Sequence, residues 1–97
     1  MVYTNNQIKE ALTPVFREYG VRSAILFGSY AKGQQTDKSD IDILVDSGLR
    51  GLAFFGLLNA VTETLKKDVD LLDVSQIKPN SPIEEQVKSM GVSIYER

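Results

Sequence analysis

The sequence predicts a small α/β domain of the α+β kind, one mixed β-sheet flanked by helices. Three observations predict it. Apolar residues recur at helical spacing in two long stretches, 8–19 and 52–65. Short apolar runs of strand length lie at 21–27, 41–45 and 69–74. The two kinds of segment interleave along only 97 residues, enough for one core and a single domain spanning 1–97.

Each element has its own local cause. Thr4-Asn5-Asn6-Gln7 reads as a capping box, and Ile8, Leu12, Val15, Phe16 and Tyr19 then form one helical face. Pro14 inside that pattern predicts a kink or a division, and Gly20 a stop. Val21–Phe27 reads as a buried strand, and 28–38 as a polar loop or a short helical turn. Ile41–Val45 is a second strand, and Gly48 and Gly51 mark its exit. Leu52–Lys67 is the longest helix, with Phe54, Leu57, Leu58, Val61 and Leu65 on its buried face. Leu52 and Phe55 fall outside that face and are expected to pack against the loop below. Lys66-Lys67 suits the negative end of the helix dipole. Val69–Val74 is a third strand. Ser81-Pro82 opens a short helix with Glu84 and Glu85 in its first turn, Gly91 follows it, and Val92–Tyr95 closes the sheet.

Composition narrows the chemistry. The chain has no cysteine and no histidine. That removes disulfides, thiol nucleophiles, thiolate metal sites and the commonest general base. Catalysis is left to carboxylates, hydroxyls, Lys, Arg and backbone dipoles, and a bound metal would be a hard cation held by oxygen. A net charge of −2 argues against general nucleic-acid binding, so no direct nucleic-acid contact is expected. No apolar run has membrane-spanning length, and the start lacks a signal-peptide layout, so a cytoplasmic protein is expected.

The stretch that carries chemistry is Phe27-Gly28-Ser29-Tyr30-Ala31-Lys32-Gly33, followed by Ser39-Asp40-Ile41-Asp42. Gly28 permits a tight turn and close approach to a ligand, while Ser29 adds a hydroxyl and the turn's N–H groups can point at an anion. Asp40 and Asp42 are two apart, so in a strand they share a face. Two adjacent carboxylates repel unless something positive lies between them. One or two divalent cations answer that, and two metals roughly 3.5–4 Å apart are the standard arrangement for phosphoryl transfer. With oxygen as the only donor type, Mg²⁺ is favoured over Zn²⁺. Asp70, between Val69 and Leu71, is the expected third carboxylate, with Asp68 in reserve; Asp73 points the other way.

This pattern resembles the DNA polymerase β-type nucleotidyltransferases, and within them the minimal nucleotidyltransferases (MNT). The likeness spans the leading helix, the Phe-Gly-Ser turn, the Ser-Asp-x-Asp strand and the later Val-Asp-Leu strand. It implies metal ligation and catalysis by Asp40, Asp42 and Asp70. It implies nucleotide binding at Gly28, Ser29, Lys32 and Ser39, with Tyr30 standing where such proteins often have Arg. It further implies ATP as substrate, Mg²⁺ as cofactor and a hetero-oligomer with a HEPN-type toxin. In that arrangement the chain is the antitoxin and transfers AMP to a tyrosine of the toxin. Two alternatives are a subunit that modifies a small molecule such as an aminoglycoside, and a catalytically silent module that neutralises its partner by contact.

Overall fold

The computed structural model describes residues 2–97. The elements run α1 (Asn5–Glu18), β1 (Ser23–Phe27), β2 (Ile41–Asp46), α2 (Leu52–Leu65), β3 (Val69–Asp73), a 3-10 turn (Val74–Gln76), α3 (Pro82–Met90) and β4 (Val92–Glu96). The mixed α/β architecture is the one the sequence predicts. The sheet has the order β3-β2-β1-β4. β2 and β3 are parallel, joined through α2, while β1 pairs antiparallel with both β2 and β4.

Alternation along the strands divides the sheet into two faces. Ala24, Leu26, Ile41, Ile43, Val45 and Leu71 point into the core. There they meet Ile8, Leu12 and Phe16 of α1 and Leu57, Val61 and Leu65 of α2. The opposite face carries Phe27, Asp42, Leu44, Asp70 and Leu72, and α3 packs over its β1 side. The capping box at the start of α1 forms as read: Thr4 Oγ1 accepts from the Gln7 amide, and Gln7 Oε1 accepts from the Thr4 amide. Ser81 caps α3 from one side only, its Oγ accepting from the Glu84 amide at 3.3 Å. Among the described residues no helix is long and apolar enough to cross a membrane.

One expectation is narrowed and one needs correction. Of the kink or division expected at Pro14, no division occurs: α1 runs unbroken from Asn5 to Glu18. The buried faces on either side of Pro14, Ile8 and Leu12 before it and Phe16 after it, dock into one core, and that packing outweighs one missing backbone hydrogen bond. Leu52 and Phe55 do not pack beneath a loop. They are 89% and 63% exposed, because α2 begins at Leu52 and its first turn projects past the sheet. Their replacement by serine is therefore expected to change folding stability by no more than about 0.5 kcal/mol each. Thermal unfolding of Leu52→Ser and Phe55→Ser checks this.

Candidate active site

The strand register builds the site. Phe27 of β1 stands opposite Asp42 of β2, and Asp42 stands opposite Asp70 of β3. Cross-strand partners share a face, so these three side chains form one row across the sheet. The next row inward is Ile25, Leu44 and Leu72, all apolar. The carboxylates thus sit at the rim of the sheet, directly above an apolar floor.

Gly28 follows Phe27 and turns the chain over Asp42. Its φ of +73° lies in the left-handed region, and a Cβ at this position would collide with the Asp42 carboxylate. Two reasons therefore demand glycine here, backbone conformation and the space taken by Asp42. The loop then closes on itself: the Lys32 amide donates to Gly28 O at 3.1 Å, and the Gln34 amide to Ser29 O at 2.9 Å. Gly28→Ala is expected to lower stability by about 1–2 kcal/mol and to displace the Asp42 carboxylate. Calorimetry reads the stability loss.

Asp42 is held under electrostatic stress. Burial raises its pKa to about 6, helped by the charge of Asp70, a hydrogen bond shared with Asp70, and the charge of Asp40. The structure thus brings Asp42 and Asp70 together and holds Asp40 at one remove. Asp40 precedes the first residue of β2 and is exposed, so only its charge reaches the pair. Among the described residues no three acidic side chains already converge as a closed metal site. Asp68 lies apart from the row, beside Asp40, Ser39, Lys66 and Lys67 in a separate depression. Register therefore favours Asp70 over Asp68 as the partner of Asp42.

The remaining predicted residues, Ser29, Lys32 and Ser39, lie on the connection between β1 and β2. Lys32 is exposed on the glycine-rich turn. Ser39 closes its own loop: its Oγ accepts from the Thr36 amide at 2.9 Å. Sequence reasoning missed Tyr30 and Lys67. Tyr30 is fully buried and anchors the turn to the core. Lys67 leaves the end of α2, donates to Asp37 O at 3.1 Å and lies 3.4 Å from the Tyr30 hydroxyl, so it ties the loop before Asp40 to the helix. The only hint of this in the sequence is an aromatic residue inside an otherwise polar loop. Asp73 is also more than a residue facing away. It is 3% exposed, and its carboxylate accepts from the Ser47 hydroxyl (2.6 Å) and amide (3.0 Å) and from the Ser75 hydroxyl (2.5 Å) and amide (2.9 Å). It fastens the exits of β2 and β3 to each other.

The sequence comparison decides which family this arrangement belongs to. The profile described as polymerase beta, nucleotidyltransferase matches residues 10–97. The chain belongs to this family. As a family member it is a nucleotidyltransferase. It is 40% identical over 77 residues to "Putative protein adenylyltransferase MJ0435" of Methanocaldococcus jannaschii, covering 76% of this chain and 82% of that one. MJ0128 of the same organism, with the same activity in its name, is 41% identical over 81 residues, covering 77% and 83%. Among solved structures, a chain of a toxin–antitoxin crystallised with AMP-PNP superposes with a TM-score of 0.77 at 28% identity, covering 92% of this chain and 73% of that one. A chain of an MntA–HpeT toxin–antitoxin mutant gives 0.69 at 30% identity, covering 87% and 68%.

Proposed function

We propose that this nucleotidyltransferase is a Mg²⁺-dependent protein adenylyltransferase acting as an antitoxin. In this reading it transfers AMP from ATP to a tyrosine of a HEPN-type toxin with which it assembles in the cytoplasm, without direct contact to nucleic acid. The observation that carries the chemistry is the Asp42–Asp70 pair beneath the Gly28 turn. Relatives named as protein adenylyltransferases support a protein acceptor, and structural likeness to toxin–antitoxin complexes, one of them with AMP-PNP, supports the partner and the nucleotide.

The donor set fits a hard cation. It is all oxygen, and it carries more negative charge than it can hold unaided, as the raised pKa of Asp42 records. Asp42 and Asp70, with Asp40 as third ligand, would hold Mg²⁺, which when bound neutralises phosphate charge and makes an acceptor hydroxyl more acidic. The chain's own residues do the rest. Gly28 and Ser29 present turn N–H groups and a hydroxyl to the phosphates, with Lys32 and Ser39 at the edge of the same site. Gly28 lets the turn lie directly against the Asp42 carboxylate. Asp70, exposed on the edge strand, faces the incoming acceptor and takes its proton. The acceptor oxygen attacks the α-phosphorus, the bond to the bridging α–β oxygen breaks, and pyrophosphate leaves with that electron pair. Positioning and charge neutralisation supply most of the rate.

Intact-mass spectrometry of the chain co-purified with its partner, given Mg²⁺ and each NTP in turn, tests the reading. The expected result is a gain of AMP units on a partner tyrosine with ATP, lost in the Asp40→Asn/Asp42→Asn variant. No mass gain with any NTP would overturn it.

A further inference from the structure

Asp40 stands just outside the strand that carries Asp42, so the approach to β2 decides where its carboxylate lies. That approach is a small turn closed by its own atoms. The Ser39 amide donates to Thr36 O at 3.1 Å, and Ser39 Oγ accepts from the Thr36 amide at 2.9 Å. Such bonds give the turn its shape but do not by themselves set its position on the fold. Two contacts fasten it there, one on each side of Asp40, and they come from adjacent residues. Lys67 Nζ donates to Asp37 O at 3.1 Å, and the Ile41 amide donates to Asp68 O at 3.2 Å. Lys67 is itself held, its ammonium 3.4 Å from the Tyr30 hydroxyl and 6.0 Å from the centre of the Tyr30 ring. Tyr30 is fully buried and follows Ser29 on the turn that Gly28 opens. One ammonium thus joins the Gly28 turn to the approach of Asp40. We propose that Lys67 is a positioning residue: it fixes residues 37–40 against Tyr30, so that Asp40 is already in place as third ligand to the cation. The proposal rests on the cation-dependent reading above.

Lys67 acts on a cation in two opposite ways. It lines the same depression as Asp40, so its charge disfavours a second positive charge there. As a tether it favours the cation, because a ligand ordered in advance loses less conformational freedom on binding. Magnitudes decide between the two. Repulsion between charges at an open surface is screened by water and salt. Loss of a contact that orients a metal ligand weakens metal binding by roughly 10–100-fold. The tether therefore outweighs the charge, and removal of Lys67 weakens the cation site. Lys66 separates the two effects. It lines the same depression with the same charge, but its side chain is exposed at the end of α2.

Titration of the ¹⁵N-labelled full chain with Mg²⁺ alone tests this without any turnover. The amide shifts of Asp42 and Asp70 give the affinity, and the heteronuclear NOE of residues 37–40 gives their order before the cation is added. Lys67→Met is expected to bind Mg²⁺ about tenfold more weakly and to lower that NOE. Lys67→Arg, which still offers a donor to Asp37 O, is expected to recover both. Lys66→Met is expected to bind as wild type does. Lys67 is only partly buried, so its replacement leaves the core intact. Tyr30→Phe removes just the hydroxyl contact and is expected to weaken Mg²⁺ in the same direction by less. Equal or tighter binding by Lys67→Met, or an equal loss in Lys66→Met, overturns the positioning role and keeps the cation site. A wild-type chain whose Asp42 and Asp70 amides ignore Mg²⁺ overturns the cation reading as well.

Discussion

Asp42→Asn is expected to abolish nucleotidyl transfer and, in the same molecule, to stabilise the metal-free fold. The first effect follows from its place in the row, between Asp70 and the Gly28 turn: in the proposed mechanism both the cation and the α-phosphate depend on it. A loss of several kcal/mol of transition-state stabilisation corresponds to at least about 10³-fold in rate. The second effect follows from the stress on the same carboxyl. Burial and the charge of Asp70 raise its pKa from 3.8 to about 6, so the folded state takes up its proton more readily than the unfolded chain. Such a group contributes no penalty below its unfolded pKa, destabilises the fold increasingly as pH rises from 3.8 to about 6, and holds a constant penalty above that. The isosteric amide removes that charge. After allowance for solvent at this half-open rim, the gain is about 1–2 kcal/mol at neutral pH without divalent cations. For a domain of this size each kcal/mol raises Tm by roughly 4–8 °C. Thermal unfolding in EDTA at pH 7.5 and at pH 4 reads the effect, which should be present at the first and nearly absent at the second. A variant that unfolds earlier at pH 7.5 would mean that Asp42 is a structural acid rather than a strained functional one.

The opposite behaviour is expected of Asp73. Its burial alone would raise the pKa, but hydrogen bonds from the Ser47 and Ser75 hydroxyls and amides outweigh it and hold the carboxyl at about 2. Asp73→Ala leaves those donors unpaired where β2 and β3 meet and is expected to cost about 3–4 kcal/mol, a large fraction of a small domain's stability. Asp73→Asn keeps the shape but turns an amide NH₂ toward part of the same donor set, and is expected to lose about half as much. The pH dependence has a definite sign. A depressed carboxyl contributes stability that is fully present above its unfolded pKa of 3.8 and is lost as pH falls through the folded value near 2. The gap between wild type and Asp73→Asn in urea denaturation should therefore narrow steadily as pH drops through that window, and a constant gap would contradict the assignment.

These two acids show what the sequence discloses and what it withholds. Local rules were enough for the element order, because they act within a few residues: the Thr4–Gln7 capping box, the Ser81-Pro82 start and the period-two strands are all written in short words. The same alternation put Asp42 on one face and Asp73 on the other. What alternation cannot give is the pairing between strands. That Asp70 rather than Asp68 stands opposite Asp42 depends on the register of a parallel pair joined through α2, a contact between distant parts of the chain. Asp40 lay one residue too early to be paired, so its exposure at the strand's approach was equally out of reach. At Pro14 a local rule allows either a kink or a division, and only the packing of Ile8, Leu12 and Phe16 into one core excludes the division. Leu52 and Phe55 were misjudged because apolar character says nothing of whether a neighbour is within reach. The Tyr30–Lys67 tether was invisible because it spans 37 residues and joins two loops.

The central claim is that this acidic row performs nucleotidyl rather than phosphoryl transfer, and isotopic labelling of ATP addresses it most directly. The chain and its co-purified partner are incubated with Mg²⁺ and ATP labelled either at the α- or at the γ-phosphate. The expected result is that α-label becomes covalently bound to the partner protein, that γ-label leaves only as pyrophosphate, and that Asp42→Asn transfers neither. Retention of γ-label on protein, or α-label transfer that survives in Asp42→Asn, would contradict it.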